Sequence, residues 1–154
     1  TTTFTAYDSE EELPMALRSL LAAATQAVNL AHAPYSNFYV GAAVLLQNGQ
    51  ILNGANQENA AYPMCLCAER VALASAQAQH PDSPVVAIAI TVKNPAQVIN
   101  QPAAPCGACR QVICETEQRY QQSMQIVLRG ETGEIFVFEG GKDLLPIGFD
   151  QSYL

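Results

Sequence analysis

The sequence predicts an α/β fold, a mixed β-sheet with helices packed on its faces, in one domain spanning residues 1–154. Three observations predict it. Asn48-Gly49 stands between two apolar runs, the signal of a tight antiparallel hairpin. The stretch from Val85 to Val92, VVAIAITV, is continuously apolar, as a central strand buried on both faces should be. After the hairpin the patterns run helix, strand, helix, strand, an order that implies a right-handed parallel crossover.

Element by element, 10–33 reads as a long first helix, because Leu17, Leu20, Leu21, Ala24, Val28 and Ala31 recur at three- to four-residue spacing. Ser9 and Glu12 have the spacing of a capping box, Pro14 disturbs the first turns, and Pro34 closes the helix. Strands are expected at 38–46 and 51–54, joined by the Asn-Gly turn. An Ala-rich helix follows at 67–79, then the strand 85–92, a loop at 93–105 with three prolines, and a helix at 107–120. Strands at 125–129 and 134–138 flank Thr132-Gly133 and bring the expected number to five. No internal repeat or linker is visible.

Composition narrows the function. Fourteen acidic side chains against seven basic ones give a net charge of −7, and the Lys and Arg residues are scattered singly. That balance argues against phosphate-driven binding to nucleic acid or to an anionic membrane, and favours a small neutral or cationic partner. No apolar stretch approaches the roughly 18 residues of a membrane span, and Thr1 to Asp8 lacks a signal-peptide pattern, so a soluble, cytoplasmic protein is expected. Five cysteines are an odd number for a disulfide framework, and clustered thiols in such a chain point to metal binding or catalysis.

The cysteines lie in two groups, Cys67-Ala68-Glu69-Arg70 and Pro105-Cys106-Gly107-Ala108-Cys109-Arg110, each at an expected helix N-terminus. Exposed N–H groups and the positive dipole end favour thiolate there, the form that binds metal. Cys106 and Cys109, one turn apart, can grip an ion that Cys67 meets from the other helix. Three thiolates leave zinc an open position for water. Arg70 and Arg110 are placed to offset thiolate charge by donating to sulfur, and Glu69 is a candidate proton shuttle. The competing reading recruits Cys65 as a fourth ligand and makes a closed structural zinc site without water. Cys114 reads as a small buried side chain, His32 as a helix-end residue and His80 as a surface-loop residue, with neither histidine near the motifs.

At these residues the sequence resembles the zinc-dependent cytidine deaminase family. The resemblance is carried by Tyr35-Ser36-Asn37-Phe38, Val40-Gly41-Ala42-Ala43, Asn56-x-Glu58-Asn59-Ala60, Cys67-Ala68-Glu69-Arg70, Pro105-Cys106-Gly107-Ala108-Cys109-Arg110-Gln111 and Leu144-Leu145-Pro146. It implies a three-layer α/β/α subunit with a mixed central sheet of about five strands, assembled as a homotetramer. It further implies hydrolytic deamination of cytidine and 2′-deoxycytidine in pyrimidine salvage, with one Zn²⁺ per subunit. Carried over, Cys67, Cys106 and Cys109 hold zinc and Glu69 moves protons. Asn56 and Glu58 bind the ribose 3′-hydroxyl, Phe38 packs on the pyrimidine, and the Ala68 N–H holds the base carbonyl. Phe149 reaches a neighbouring subunit's site. A related deaminase of a cytosine-containing antibiotic or modified nucleoside would share the zinc and glutamate motifs. Two positions depart from the family's usual pattern, Tyr39 where proline is common and Cys65 before the zinc motif. Without the resemblance, Phe38 and Phe149 read equally as core residues, and Asn56 and Glu58 as turn residues.

Overall fold

A computed structural model describes all 154 residues. The elements run β1 (Thr5–Tyr7), α1 (Met15–Ala27), β2 (Tyr39–Leu46), β3 (Ile51–Ala55), α2 (Ala68–Gln79), β4 (Val85–Lys93), α3 (Gly107–Tyr120), β5 (Gln125–Arg129) and β6 (Ile135–Phe138), with short 3₁₀ turns between them. The six strands form one sheet in the order β1-β6-β5-β4-β2-β3. Only β4 and β5 are parallel, and α3 makes the crossover between them. Every other pair is antiparallel, so the expected mixed sheet is present.

Side-chain size along β4 decides which helix packs where. Ile88 and Ile90 join Ala42, Val44, Ile126 and Leu128 beneath α2 and α3. The alternate positions Ala87 and Ala89 join Ala43 and Val127 on the other face, where Leu17, Leu20, Leu21 and Ala24 of α1 close over them. Small residues on that face admit the bulky leucine stripe of α1, and the period of two separates the faces. The result is three layers: α1, the sheet, then α2 with α3.

Three expectations change. The sheet has six strands rather than five, because Thr5–Tyr7 pairs antiparallel with β6 while Phe4 packs on Phe136 and Phe138 at centroid distances of 4.3 and 5.3 Å. The first helix is shorter than 10–33. Pro14 is its N-cap, Glu10–Glu12 forms a separate 3₁₀ turn, and Val28–Leu30 is 3₁₀ again. A three-residue spacing suits either helix type, so periodicity could not separate them. The capping box does not close on Ser9; Glu12 accepts the Asp8 N–H at 2.9 Å instead, and the Arg18 guanidinium donates to the Glu10, Glu11 and Leu13 carbonyls. The Asn48-Gly49 hairpin is as expected, with Gly49 at φ +89°, a conformation that glycine adopts without strain.

Candidate active site

Two helix N-termini, those of α2 and α3, come together on the sheet face that carries Ile88 and Ile90. Cys67 is the N-cap of α2 and Cys106 the N-cap of α3, both extended and neither using its side chain to cap its helix. Their sulfurs are therefore free to face each other, and Cys109 arrives one turn into α3. Cys67 Sγ lies 3.8 Å from Cys106 Sγ, which is 3.4 Å from Cys109 Sγ, and all three fall within 4.8 Å of one another. Tetrahedral zinc with bonds near 2.3 Å holds its sulfurs about 3.8 Å apart, so the set has the size zinc requires. Its charge also asks for a cation. The Cys67 thiol is pushed down to about 5 by its hydrogen bonds to Cys109 and Arg70. The Cys109 thiol is pushed up by its bond to Cys67, by burial and by the Glu69 charge. Three sulfurs this close cannot all ionise unless a cation joins them.

Cys65 is not part of the cluster. It follows the 3₁₀ turn Tyr62–Met64 in extended conformation, and its sulfur accepts the Asn59 N–H at 3.3 Å and donates to the Asn59 carbonyl at 3.6 Å. The closed four-thiol site is thus not formed.

Of the two arginines expected to donate to sulfur, one does. Arg70, three residues after Cys67 and so on the same helix face, points Nη2 to Cys67 Sγ at 3.9 Å and to the Cys65 carbonyl at 3.3 Å. Arg110 instead donates Nε to the Pro105 carbonyl and Nη1 to the Leu144 carbonyl, each at 2.9 Å. It ties the entrance of α3 to the Leu144-Leu145-Pro146 segment. The difference lies in what is within reach, since Pro105 and Leu144 bring two carbonyls to Arg110.

Glu69, in the first turn of α2, is only 5% exposed. Burial pushes its carboxyl above the usual carboxylate range, and the Cys67 charge adds to the shift. It lines a cavity of about 370 Å³ that also touches Cys67 and Cys106. The volume is in the range of small-molecule sites. Apolar walls come from Phe38 and Val40 at the start of β2, Ile90 and Val92 on β4, and Ala103 and Ala104 ahead of α3. Asn56 and Glu58 form the polar side. Asn56 Oδ1 accepts the Val40 N–H at 2.8 Å and its Nδ2 donates to the Phe38 carbonyl at 2.9 Å, which leaves one amide hydrogen free. Glu58 accepts the Tyr35 and Ser36 N–H groups at 2.9 and 3.1 Å. The Ser36 hydroxyl, then those amides and the nearby His32, hold its carboxyl below the ordinary range.

His32 accordingly lies beside the motifs, contrary to the sequence expectation. Its N–H donates to the Asn56 carbonyl at 2.9 Å and its carbonyl accepts the Glu58 N–H at 2.8 Å, fixing the polar side of the cavity. Phe149 does not line the cavity of its own chain. The residue is 58% exposed, and its ring stacks on Tyr153 at 5.3 Å.

Residues 15–123 match the family described as the cytidine and deoxycytidylate deaminase zinc-binding region. The chain belongs to that family. Its relatives include a cytidine deaminase of Halalkalibacterium halodurans, 42% identical over 130 residues that cover 84% of this chain and 91% of the relative. Another, from Sporosarcina psychrophila, is 39% identical over 140 residues covering 91% and 96%. The crystal structure of cytidine deaminase from Burkholderia pseudomallei superposes with a TM-score of 0.74 at 42% identity, over 85% of this chain and 97% of that one. The matched deaminase region holds all three clustered thiols, Glu69 and the polar pair Asn56 and Glu58, whereas β6 and Phe149 lie beyond it. A three-thiol cluster in a zinc-binding deaminase region fits zinc.

Sequence reasoning did not assign Ile90, Val92, Ala103, Ala104 or Ser36 a place at the site. An uninterrupted apolar run conceals which face each residue takes, and the alanines reach the cavity only through the path of the preceding loop. Ser36 alone carried a signal, since it stands in one of the six motifs.

Proposed function

We propose that the protein hydrolyses cytidine and 2′-deoxycytidine to the corresponding uridines with release of ammonia, with one zinc ion held by Cys67, Cys106 and Cys109. The observation that carries this is the buried Glu69 carboxyl beside a three-thiol cluster on the same small cavity. Zinc supplies a Lewis acid that lowers the pKa of water near the base.

The chain supplies the rest. The Ala68 N–H belongs to the first turn of α2, where donors have no intrahelical acceptor, and it binds the O2 carbonyl of the pyrimidine. Phe38 packs against the ring. The free Nδ2 hydrogen of Asn56 and the ionised Glu58 take the ribose 3′-hydroxyl as acceptor and donor respectively. Both are braced by the 35–40 backbone, so little freedom is lost on binding. Glu69 delivers a proton to N3, which prevents negative charge from accumulating on the ring as C4 becomes tetrahedral. The proton it gives to N3 is one it has taken from the water that adds to C4; it then takes the proton of the new C4 hydroxyl and passes it to the amino group, so that the C4–N bond breaks, C4 becomes a carbonyl and ammonia leaves. Its raised pKa suits a group that must hold a proton before giving it up.

The domain of residues 1–154 acts as a homotetramer in which the exposed Phe149 enters a neighbour's cavity, in a cytoplasmic salvage role. Its partner is a free nucleoside rather than a polynucleotide, in keeping with a net charge of −7. No helix is long and apolar enough to cross a membrane. The test is ultraviolet absorbance loss and ammonia release on adding cytidine to zinc-quantified protein, with 2′-deoxycytidine, cytosine and CMP as comparators. Turnover of the two nucleosides alone is expected. Silence on both, with one zinc per chain, overturns the substrate assignment.

A further inference from the structure

Between the end of β4 and the start of α3 the chain passes through 94–106 without regular secondary structure, and Pro95, Pro102 and Pro105 have no N–H to donate. The remaining backbone groups need partners elsewhere. The Ala96 N–H finds Asn94 Oδ1 within the loop, and Glu131, in the turn between β5 and β6, serves two others. One oxygen, Oε2, accepts the Ile99 N–H at 2.9 Å and the Asn94 N–H at 3.3 Å. The Ile99 carbonyl in return accepts the Glu131 N–H at 2.7 Å and the Thr132 N–H at 3.3 Å.

The turn is shaped to press on this loop. A Cβ on Gly130 would lie 2.5 Å from both the Ile99 and Gln101 carbonyl oxygens, and one on Gly133, already at φ +87°, 2.2 Å from that of Asn100. The buried Thr91 hydroxyl donates to the Gly130 carbonyl at 2.9 Å and so anchors the turn to β4. From the anchored 99–101 segment the chain runs directly to Ala103 and Ala104 in the cavity wall and to Cys106 in the thiol cluster. Arg110 holds the far end at Pro105. Glu131 itself lines neither cavity wall nor cluster.

We infer that Glu131 is a positioning residue, whose carboxylate clamps the 94–105 loop and thereby sets the apolar wall of the nucleoside cavity and the seat of Cys106. This rests on the deaminase reading above. Glu131→Ala leaves two loop N–H groups unpaired and lets the wall and Cys106 drift together. Glu131→Gln retains a carbonyl oxygen that can accept both.

The experiment compares zinc-loaded wild-type protein with Glu131→Ala, Glu131→Gln and Leu17→Ala. The last removes a buried side chain from the α1 face of the sheet and controls for lost stability. Groups that orient metal ligands typically matter 10- to 100-fold, and Glu131 acts one step further out. Glu131→Ala is therefore expected to raise KM for cytidine about fivefold, and to speed zinc transfer to a chromogenic chelator about tenfold. Its kcat in excess zinc should fall less than about threefold, and Glu131→Gln should stay near wild type. Wild-type KM and zinc transfer in Glu131→Ala overturn the inference, as does an equal change in Leu17→Ala. If Glu131→Ala is insoluble, Glu131→Ser, too short to reach both amides, is read in its place with the same outcomes. Should wild type fail to deaminate cytidine, the substrate reading falls, while zinc transfer still decides the role of Glu131.

Discussion

Gly54→Ala tests whether the catalytic geometry is set from beneath α2. Gly54 lies on β3, and a Cβ there would stand 2.5 Å from the Ala68 carbonyl oxygen, 2.5 Å from the Ala72 nitrogen and 2.9 Å from the Ala72 Cβ. Two of these neighbours are helix backbone, so no rotamer change relieves the clash. Comfortable contact needs about 3.5 Å, and α2 must retreat by about 1 Å at its first turns. That end carries Cys67 and Glu69. A misplacement of about 1 Å costs on the order of 100-fold in rate, or about 2.7 kcal/mol of transition-state stabilisation. Overpacking adds about 1–3 kcal/mol of lost stability, a fall of roughly 3–10 °C in Tm for a chain of this size.

Gly107→Ala is the contrasting change. Gly107 directly follows the Cys106 thiol, yet a Cβ there meets nothing within 4 Å. Alanine should hold the first turn of α3 at least as well as glycine and keep activity near wild type, with a gain of about 0.5–1 kcal/mol. The assay is kcat/KM for cytidine with Tm and zinc content for both variants. Gly54→Ala within threefold of wild type at full zinc would refute the argument that the β3–α2 approach fixes the site. So would Gly107→Ala losing activity to the same extent as Gly54→Ala.

Glu69→Gln should retain zinc and lose at least about 100-fold in turnover. A carboxyl whose folded pKa is raised weakens the fold as pH climbs from its ordinary value of 4.5 through the folded value, so in zinc-free protein the Gln variant should match or exceed the wild-type Tm at pH 7. That advantage should vanish below pH 4.5, and a pH-independent difference between the Tm values would contradict the assignment. Cys65→Ser should keep its zinc, because the Cys65 sulfur is engaged with Asn59; metal analysis showing zinc lost on this change would restore the four-thiol site. Deleting residues 1–7 uncovers the edge of β6 with Phe136 and Phe138, so Tm should drop and aggregation increase while kcat/KM of the soluble fraction holds. A comparable loss of kcat/KM would mean that the edge strand reaches the site.

What the sequence disclosed and what it hid divide along a physical line. Cys67, Glu69, Cys106 and Cys109 were legible because helix N-caps and one-turn spacing are local, and a local pattern fixes where a first-turn side chain stands. β1 was hidden because three residues, Thr5 to Tyr7, become a strand only through pairing with β6, some 130 residues away in the chain. Arg70 and Arg110 show the limit within a single motif. Each follows a cysteine by one helical turn, but Arg70 finds sulfur and a carbonyl, whereas Arg110 finds two carbonyls delivered by Pro105 and the distant Leu144. The cavity wall shows the same thing at larger scale. Ala103 and Ala104 have no chemical signature of their own, and their place depends on a loop whose partner, Glu131, lies on another strand connection. The thiol cluster and Glu69 are thus encoded locally, while the cavity wall beside them is encoded by contacts between distant segments. Substitutions at Glu131 should therefore alter KM before they alter the chemistry proposed for Glu69.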